Sequence, residues 1–431
     1  MILQRACLWG LVVLMVSPAV GQGDLIPAEV LHEAGLVKFW QLRLPLERGE
    51  RLRDAYLVDD QIYLATQDGY VFAVHADTGA IRWLRPVTRS GYRVKRPCHA
   101  GQRVIFVTPT TVLQVDRVLG KGIAQHELRF AAGSSAVSDG LNLYLGGING
   151  RLYALDVWEH MEQWKAGMRG AITSAPTLYG EVLFVGSDGG DISACVAANK
   201  RYRWKTAVSG PIAADLAADA NGLYVASQDQ SLYLFDFRYG RTRWRARFSG
   251  PLYEPPVLTP ELAFQFCADD GLAAVNTAWV GVEKRVRWML PRGRQLLTVD
   301  KHLAYVLSRD ESILVVRLDD GQVVHEIPAA GFTMAMPAPA GATLWMAGVD
   351  GRVFCARPRG VPFARQEDLR RALMPPGTQT GAMEAAAEAG KPAEEQAEDY
   401  LRGRQAGRPV GGKSKVSKRF ESGTGGSGQK P

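Results

Sequence analysis

ITSAPTLYGEVLFVGSDGGDISACVAANKRYRWKTA, residues 172–207, carries four strand signals in one short stretch. Residues 172–179 are rich in small side chains, which suits a strand at a crowded axis. Residues 181–187 and 190–196 are apolar runs on either side of Asp188-Gly189, the strongest short-range signal of a β-hairpin. Residues 201–207 add a fourth strand that carries Trp204. Four antiparallel strands in about forty residues make one blade of a β-propeller.

The same unit recurs along the chain. Asp68-Gly69, Asn149-Gly150 and Asp350-Gly351 stand between comparable apolar runs, with weaker versions at Asp229, Asp270 and Asp310. From Asp68 the spacings are 81 (two repeats), 39, 41, 41, 40 and 40 residues. The skipped unit has a degenerate turn at Pro109-Thr110, so the count is eight; seven is the fallback if that unit fails to form a blade. The Asp-Gly signal implies a type I′ turn, with positive φ at both central residues. Trp83, Trp164, Trp204, Trp244 and Trp288 follow the turns in register, and His126 and His325 are read as their equivalents in units two and seven. A repeated large flat side chain is read as a wedge between blades, not as a ligand contact. The eighth unit, residues 332–357, stops after three strands, and its missing strand stands at the start of the chain as residues 37–42 with Trp40. The N-terminal strand therefore completes the last blade and leaves no open edge. Small inner residues recur as Ser134-Ser135-Ala136 and Ala213-Ala214.

The expected organisation is a signal peptide over residues 1–21, a short segment 22–35, an all-β eight-bladed propeller of four-stranded antiparallel blades over 36–360, and a tail over 361–431. Arg5, the apolar run from Ala6 to Val16 and Ala19-Val20-Gly21 form the signal pattern, with an uncleaved anchor as its rival. Secretion across the inner membrane and a periplasmic or envelope location follow from it. Cys7 precedes the apolar run, so it is not read as a lipidation site. The tail is Ala/Glu-rich and then Gly/Ser-rich and basic, which predicts disorder, with one short amphipathic helix at 363–374. The formal charge of +7 invites a nucleic-acid reading, but residues 401–431 hold eight Lys and Arg against one Glu, which leaves the first 400 neutral. The basic balance therefore belongs to the tail, and no nucleic-acid partner is expected of the propeller.

Unit one reads Ala73-Val74-His75-Ala76-Asp77-Thr78-Gly79-Ala80-Ile81-Arg82-Trp83. This resembles the pyrroloquinoline-quinone-type propeller repeat, with Ala-x-Asp, Thr-Gly and a Trp four residues after the Gly. Unit three keeps Ala154, Asp156 and Trp164, unit five keeps Asp236, Gly240 and Trp244, and unit seven keeps Gly321 with His325 for Trp. Within that superfamily the chain is similar to compact, non-catalytic members, above all the propeller component of the outer-membrane β-barrel assembly machinery. The resemblance implies a non-enzymatic envelope scaffold with protein partners. Members of that component are usually lipoproteins, and in this respect, as in its tail, the chain departs from them.

Catalysis by a bound quinone is the enzymatic alternative. It would call for adjacent cysteines, a calcium site and long insertions, and the sequence has no Cys-Cys pair. Asp59-Asp60, Asp269-Asp270 and Asp319-Asp320 are read as turn residues instead of calcium ligands. His75, His99 and His302 fall in different units without metal-ligand spacing, and no Gly-x-Ser-x-Gly or phosphate-binding loop occurs. No cofactor, metal or catalytic residue is therefore assigned. A carbohydrate-binding propeller is the third reading. Trp158, Trp279 and Trp345 lie outside the repeated position, and Trp158 and Trp279, at blade edges, are the candidates for contact with a partner or sugar. The propeller is expected to be monomeric, with the basic tail adhering to an anionic surface.

Overall fold

The computed structural model describes residues 24–278, 281 and 285–360. They form eight four-stranded antiparallel sheets. Blades 1 to 7 follow the chain from Leu52–Val58 to Val323–Pro328, each running from its first strand inward to its fourth strand outward. The degenerate second unit is a complete blade, made of Cys98–Ala100, Arg103–Val107, Thr111–Asp116 and Gly122–Glu127. Its Pro109-Thr110 turn is held by Thr108, whose hydroxyl accepts from the Thr111 amide at 3.0 Å. A threonine hydroxyl thus takes over what an Asp-Gly pair does elsewhere.

Blade 8 consists of Met334–Met336, Leu344–Ala347 and Arg352–Pro358, closed by the N-terminal strand Leu36–Arg43. Trp40 stands opposite Cys355 and Leu42 opposite Val353. Trp40 packs with Val353 and Cys355 on one face, while Phe354, one residue out of phase, joins Leu36 on the other. The core is divided into eight apolar clusters, and each joins one blade to the next, so the ring is closed through all eight seams. The helix Ala28–Glu33 precedes the closing strand, and Ile26 and Leu31 sink into the seam between blades 7 and 8.

Two local features differ from the reading of the sequence. The hairpins at Gly69, Gly150, Gly190 and Gly351 are not type I′, because positive φ occurs at only one central position. Each glycine amide bonds the carbonyl three residues back, and the glycine follows as a left-handed residue, which makes a three-residue loop. In blade 4 the inner strand is only Thr177–Tyr179. Pro176 has no amide to donate, and the Ala175 amide is taken by Asp215 of blade 5 at 2.7 Å. The expected signal peptide and the tail lie outside the described residues.

Cys98, Cys195, Cys267 and Cys355 fall in blades 2, 4, 6 and 8, no two of them neighbours. A disulfide needs Cα atoms within about 7 Å, which blades separated by a whole blade do not offer. Burial pushes the Cys98 thiol up to about 12 and that of Cys195 to about 11. These thiols are expected to resist reagents in the native protein and to titrate as four in the unfolded, unreduced mature protein, which lacks Cys7 of the expected signal peptide. Two or fewer would contradict the blade register.

Candidate interaction surface

The seams set what the surface can present, and most share one device. The indole Nε1 of each outer-strand tryptophan donates to a main-chain carbonyl of the following blade. Trp83 reaches Arg117 at 3.0 Å, Trp164 reaches Ala197 at 3.1 Å and Trp204 reaches Phe237 at 2.9 Å. Trp244 reaches Thr277 at 3.0 Å, Trp288 reaches Leu318 at 2.8 Å and Trp40 reaches Ala76 at 2.8 Å. The indole also lies on the turn of the next blade. At Gly120, with φ of +68°, an added Cβ would stand 2.4 Å from Trp83 Cγ. Trp345 is buried at the closing seam and shares the Ala76 carbonyl with Trp40.

The seam between blades 2 and 3 is built differently. Strand pairing puts Ala124, opposite Gln114, at the tryptophan position, so His126 is not the equivalent but lies two residues further on, opposite Val112. His325 does occupy that position in blade 7, opposite Val315. In place of the missing indole, Gln114 Nε2 donates to the Val157 carbonyl, the counterpart of the carbonyls that tryptophans bond elsewhere. His160 replaces the turn glycine, with φ of 56°, and its ring stacks on His126 at a centroid distance of 4.0 Å. A Trp–Gly pair has thus become a Gln–His–His cluster.

The cluster is set for a neutral His160. Gln114 Oε1 accepts from Arg103, which orients the amide so that its Nε2 donates to His160 Nε2 at 3.0 Å. Both the carbonyl and the ring nitrogen of this network are acceptors, and His160 Nδ1 is buried with no hydrogen-bond partner. A second ring proton would meet a donor. Burial, and after it the neighbouring His126, hold His160 down at about 4. The unfolded histidine titrates near 6.5, so between roughly pH 6.5 and 4 the unfolded chain binds more protons, and stability falls as pH falls through that window. Asp156 opposes the shift and Arg103 reinforces it. His160→Asn, which tolerates the left-handed backbone, is expected to flatten the acid decline of the thermal midpoint measured from pH 7 to pH 4. An unchanged decline would assign the acid sensitivity elsewhere.

Trp158 lies in the turn after the third strand of blade 3 and is 48% exposed, with the Arg103 guanidinium 3.8 Å from the ring centroid. Val118, Leu119, Leu141 and Met161 are exposed in the neighbouring turns of blades 2 and 3. The Val157 amide bonds the Leu141 carbonyl at 2.9 Å and ties two of those turns together. Trp279 lies outside the described residues. The acidic pairs belong to turns and ion pairs: Asp60 binds Arg117 at 2.7 Å, Asp270 accepts from the Ser249 amide at 2.8 Å, and Asp320 binds Arg317 at 2.5 Å. His99 bridges Asp59 at 2.8 Å and the Tyr63 hydroxyl at 2.7 Å, a chain between blades 1 and 2 that the sequence did not reveal. Tyr63 is buried, beyond reach of a substrate. Among the described residues no three His, Cys, Asp or Glu side chains gather as metal ligands.

The sequence profile of the family described as outer membrane protein assembly factor BamB matches residues 110–199 and 149–357. No curated protein matches the chain in sequence. In structure it is similar to BamB from Moraxella catarrhalis, with a TM-score of 0.61 and 17% identity over 76% of this chain and 99% of that one. It is also similar to the computationally designed Ika8 protein, with a TM-score of 0.59 and 12% identity over 73% of this chain and 98% of the other. At these identities the likeness is one of fold.

Proposed function

This chain belongs to the outer membrane protein assembly factor BamB family, and from that premise we propose that it is a non-enzymatic scaffold of the cell envelope that holds protein partners. The profile match, which spans most of the ring, is the observation that carries the reading. A periplasmic or outer-membrane-associated location goes with it, as does export by the N-terminal signal pattern. Trp158 and the exposed apolar turns beside it supply the contact surface, because a half-exposed indole on a rigid blade buries large area at little entropic cost. The basic end, residues 401–431, adds loose adhesion to an anionic surface that weakens as salt rises.

A photo-crosslinking amino acid at Trp158 tests the contact. Expressed in the envelope, the full chain so labelled is expected to give discrete protein adducts, while the same label at exposed Val349, on the opposite turns of blade 8, gives few. Equal labelling at both positions, or none at 158, would remove the surface from the account.

A further inference from the structure

We propose that the outer strands of blades 4 and 5 form a cationic rim that docks the propeller on an anionic lipid surface. This rests on charge and geometry in the ring and stands apart from the family reading. The first 400 residues are neutral overall, yet their charge is unevenly placed. Residues 200–205 carry Lys200, Arg201, Arg203 and Lys205, and residues 238–247 carry five arginines, with no acidic residue in either stretch. These stretches are the turn and outer strand of adjacent blades, joined through the Trp204 bond to Phe237. Strand alternation buries Trp244 and Ala246 and exposes Arg243, Arg245 and Arg247 on the other side.

The cations are largely uncompensated. Among the described residues only Arg203 of this group forms an ion pair, with Glu181, itself well exposed. Arg243 donates to the Asn221 carbonyl at 2.7 Å and Arg247 to Gln230 at 3.4 Å, both neutral. Asp236 accepts from the Arg238, Tyr239 and Arg241 amides and so serves the turn, and Asp191, paired with Arg169, is the other carboxylate that feels Lys205.

Two exposed tyrosines interleave with the cations and decide between anionic partners. Lys205 Nζ lies 3.7 Å from the Tyr202 ring centroid, and Arg238 and Arg241 lie 5.1 and 5.4 Å from that of Tyr239. Lys205 covers one face of the Tyr202 ring and leaves only the other open to a stacked base. Tyrosine beside lysine and arginine is what a headgroup layer favours, since the ring takes the interface and the cations take the phosphates.

The test uses the full chain and flotation with phosphatidylcholine vesicles, with or without a third of phosphatidylglycerol, from about 50 to about 500 mM salt. The rim variant carries Arg201→Gln, Lys205→Gln, Arg243→Gln, Arg245→Gln and Arg247→Gln. A control loses the same charge at exposed sites elsewhere, through Arg89→Gln, Lys121→Gln, Arg129→Gln, Arg151→Gln and Lys301→Gln. The tail is intact in all three proteins, so any difference between the variants reads the rim. Binding to anionic vesicles is expected to fall at least about tenfold in the rim variant and no more than about twofold in the control. A photo-crosslinker at Tyr239 of the otherwise unaltered chain is expected to label lipid, which keeps the test independent of the variant's folding. The proposal is overturned by equal losses in the two variants, by indifference of the full chain to phosphatidylglycerol, or by tighter binding to polyglutamate or single-stranded RNA than to the vesicles.

Discussion

Deleting residues 36–43 is expected to destabilise the whole ring by more than the ~3–5 kcal/mol of a buried aromatic truncation. The loss is larger than one side chain because three contributions go together. Trp40 leaves the Ala76 carbonyl, Leu36 leaves the blade 7–8 core, and Arg352–Pro358 becomes an open edge. The edge also exposes a row of unpaired main-chain groups, so the deletion variant should associate at concentrations where the intact protein does not. Thermal unfolding and light scattering of the two proteins check both effects. An unchanged midpoint would mean that the three-stranded blade suffices and that closure adds nothing.

Trp244→Ala should cost about 3–5 kcal/mol, the range for emptying an aromatic site in a core. Trp244 is 4% exposed, bonds the Thr277 carbonyl at 3.0 Å and lies 4.7 Å from the buried Arg285 guanidinium. Trp244→Phe keeps most of the apolar volume and loses the donor, for roughly 1–2 kcal/mol. His126→Ala in the polar seam should cost less than Trp244→Ala, since Gln114 retains the bond across that seam. Denaturant titration of the three variants checks the order. If His126→Ala were the most damaging, the seams would not be ranked by their indoles.

How far the sequence carried the fold can be traced through single residues. Gly69, Gly150 and Gly351 were legible because a left-handed turn position selects glycine, and Trp40 because an orphan outer strand needs a blade. The exact turn class was not, since one positive φ or two leaves the same Asp-Gly in the sequence. Ala124 was not legible as the equivalent position because an alanine carries no packing signal, whereas the aromatic His126 two residues on does. The signal was a fixed offset: the tryptophan follows the left-handed turn residue by fourteen in blades 1, 3, 4 and 5, and fourteen from Thr110 is Ala124. The candidate site was less legible. Gln114, His126 and His160 are far apart in the chain, and only the ring closes them into one cluster. The cationic rim vanished in a net charge averaged over 400 residues. The exposure of Trp158 was legible because a tryptophan outside a strict repeat has no packing slot reserved for it.

A scaffold is defined by what it holds in its own envelope. Affinity capture of the full chain from the envelope fraction, with identification of both proteins and small molecules retained, measures this. A scaffold of this family should return with outer-membrane protein assembly components in near-stoichiometric amount and carry no quinone. Recovery of a tightly bound quinone or a sugar polymer, with no envelope protein, would contradict it.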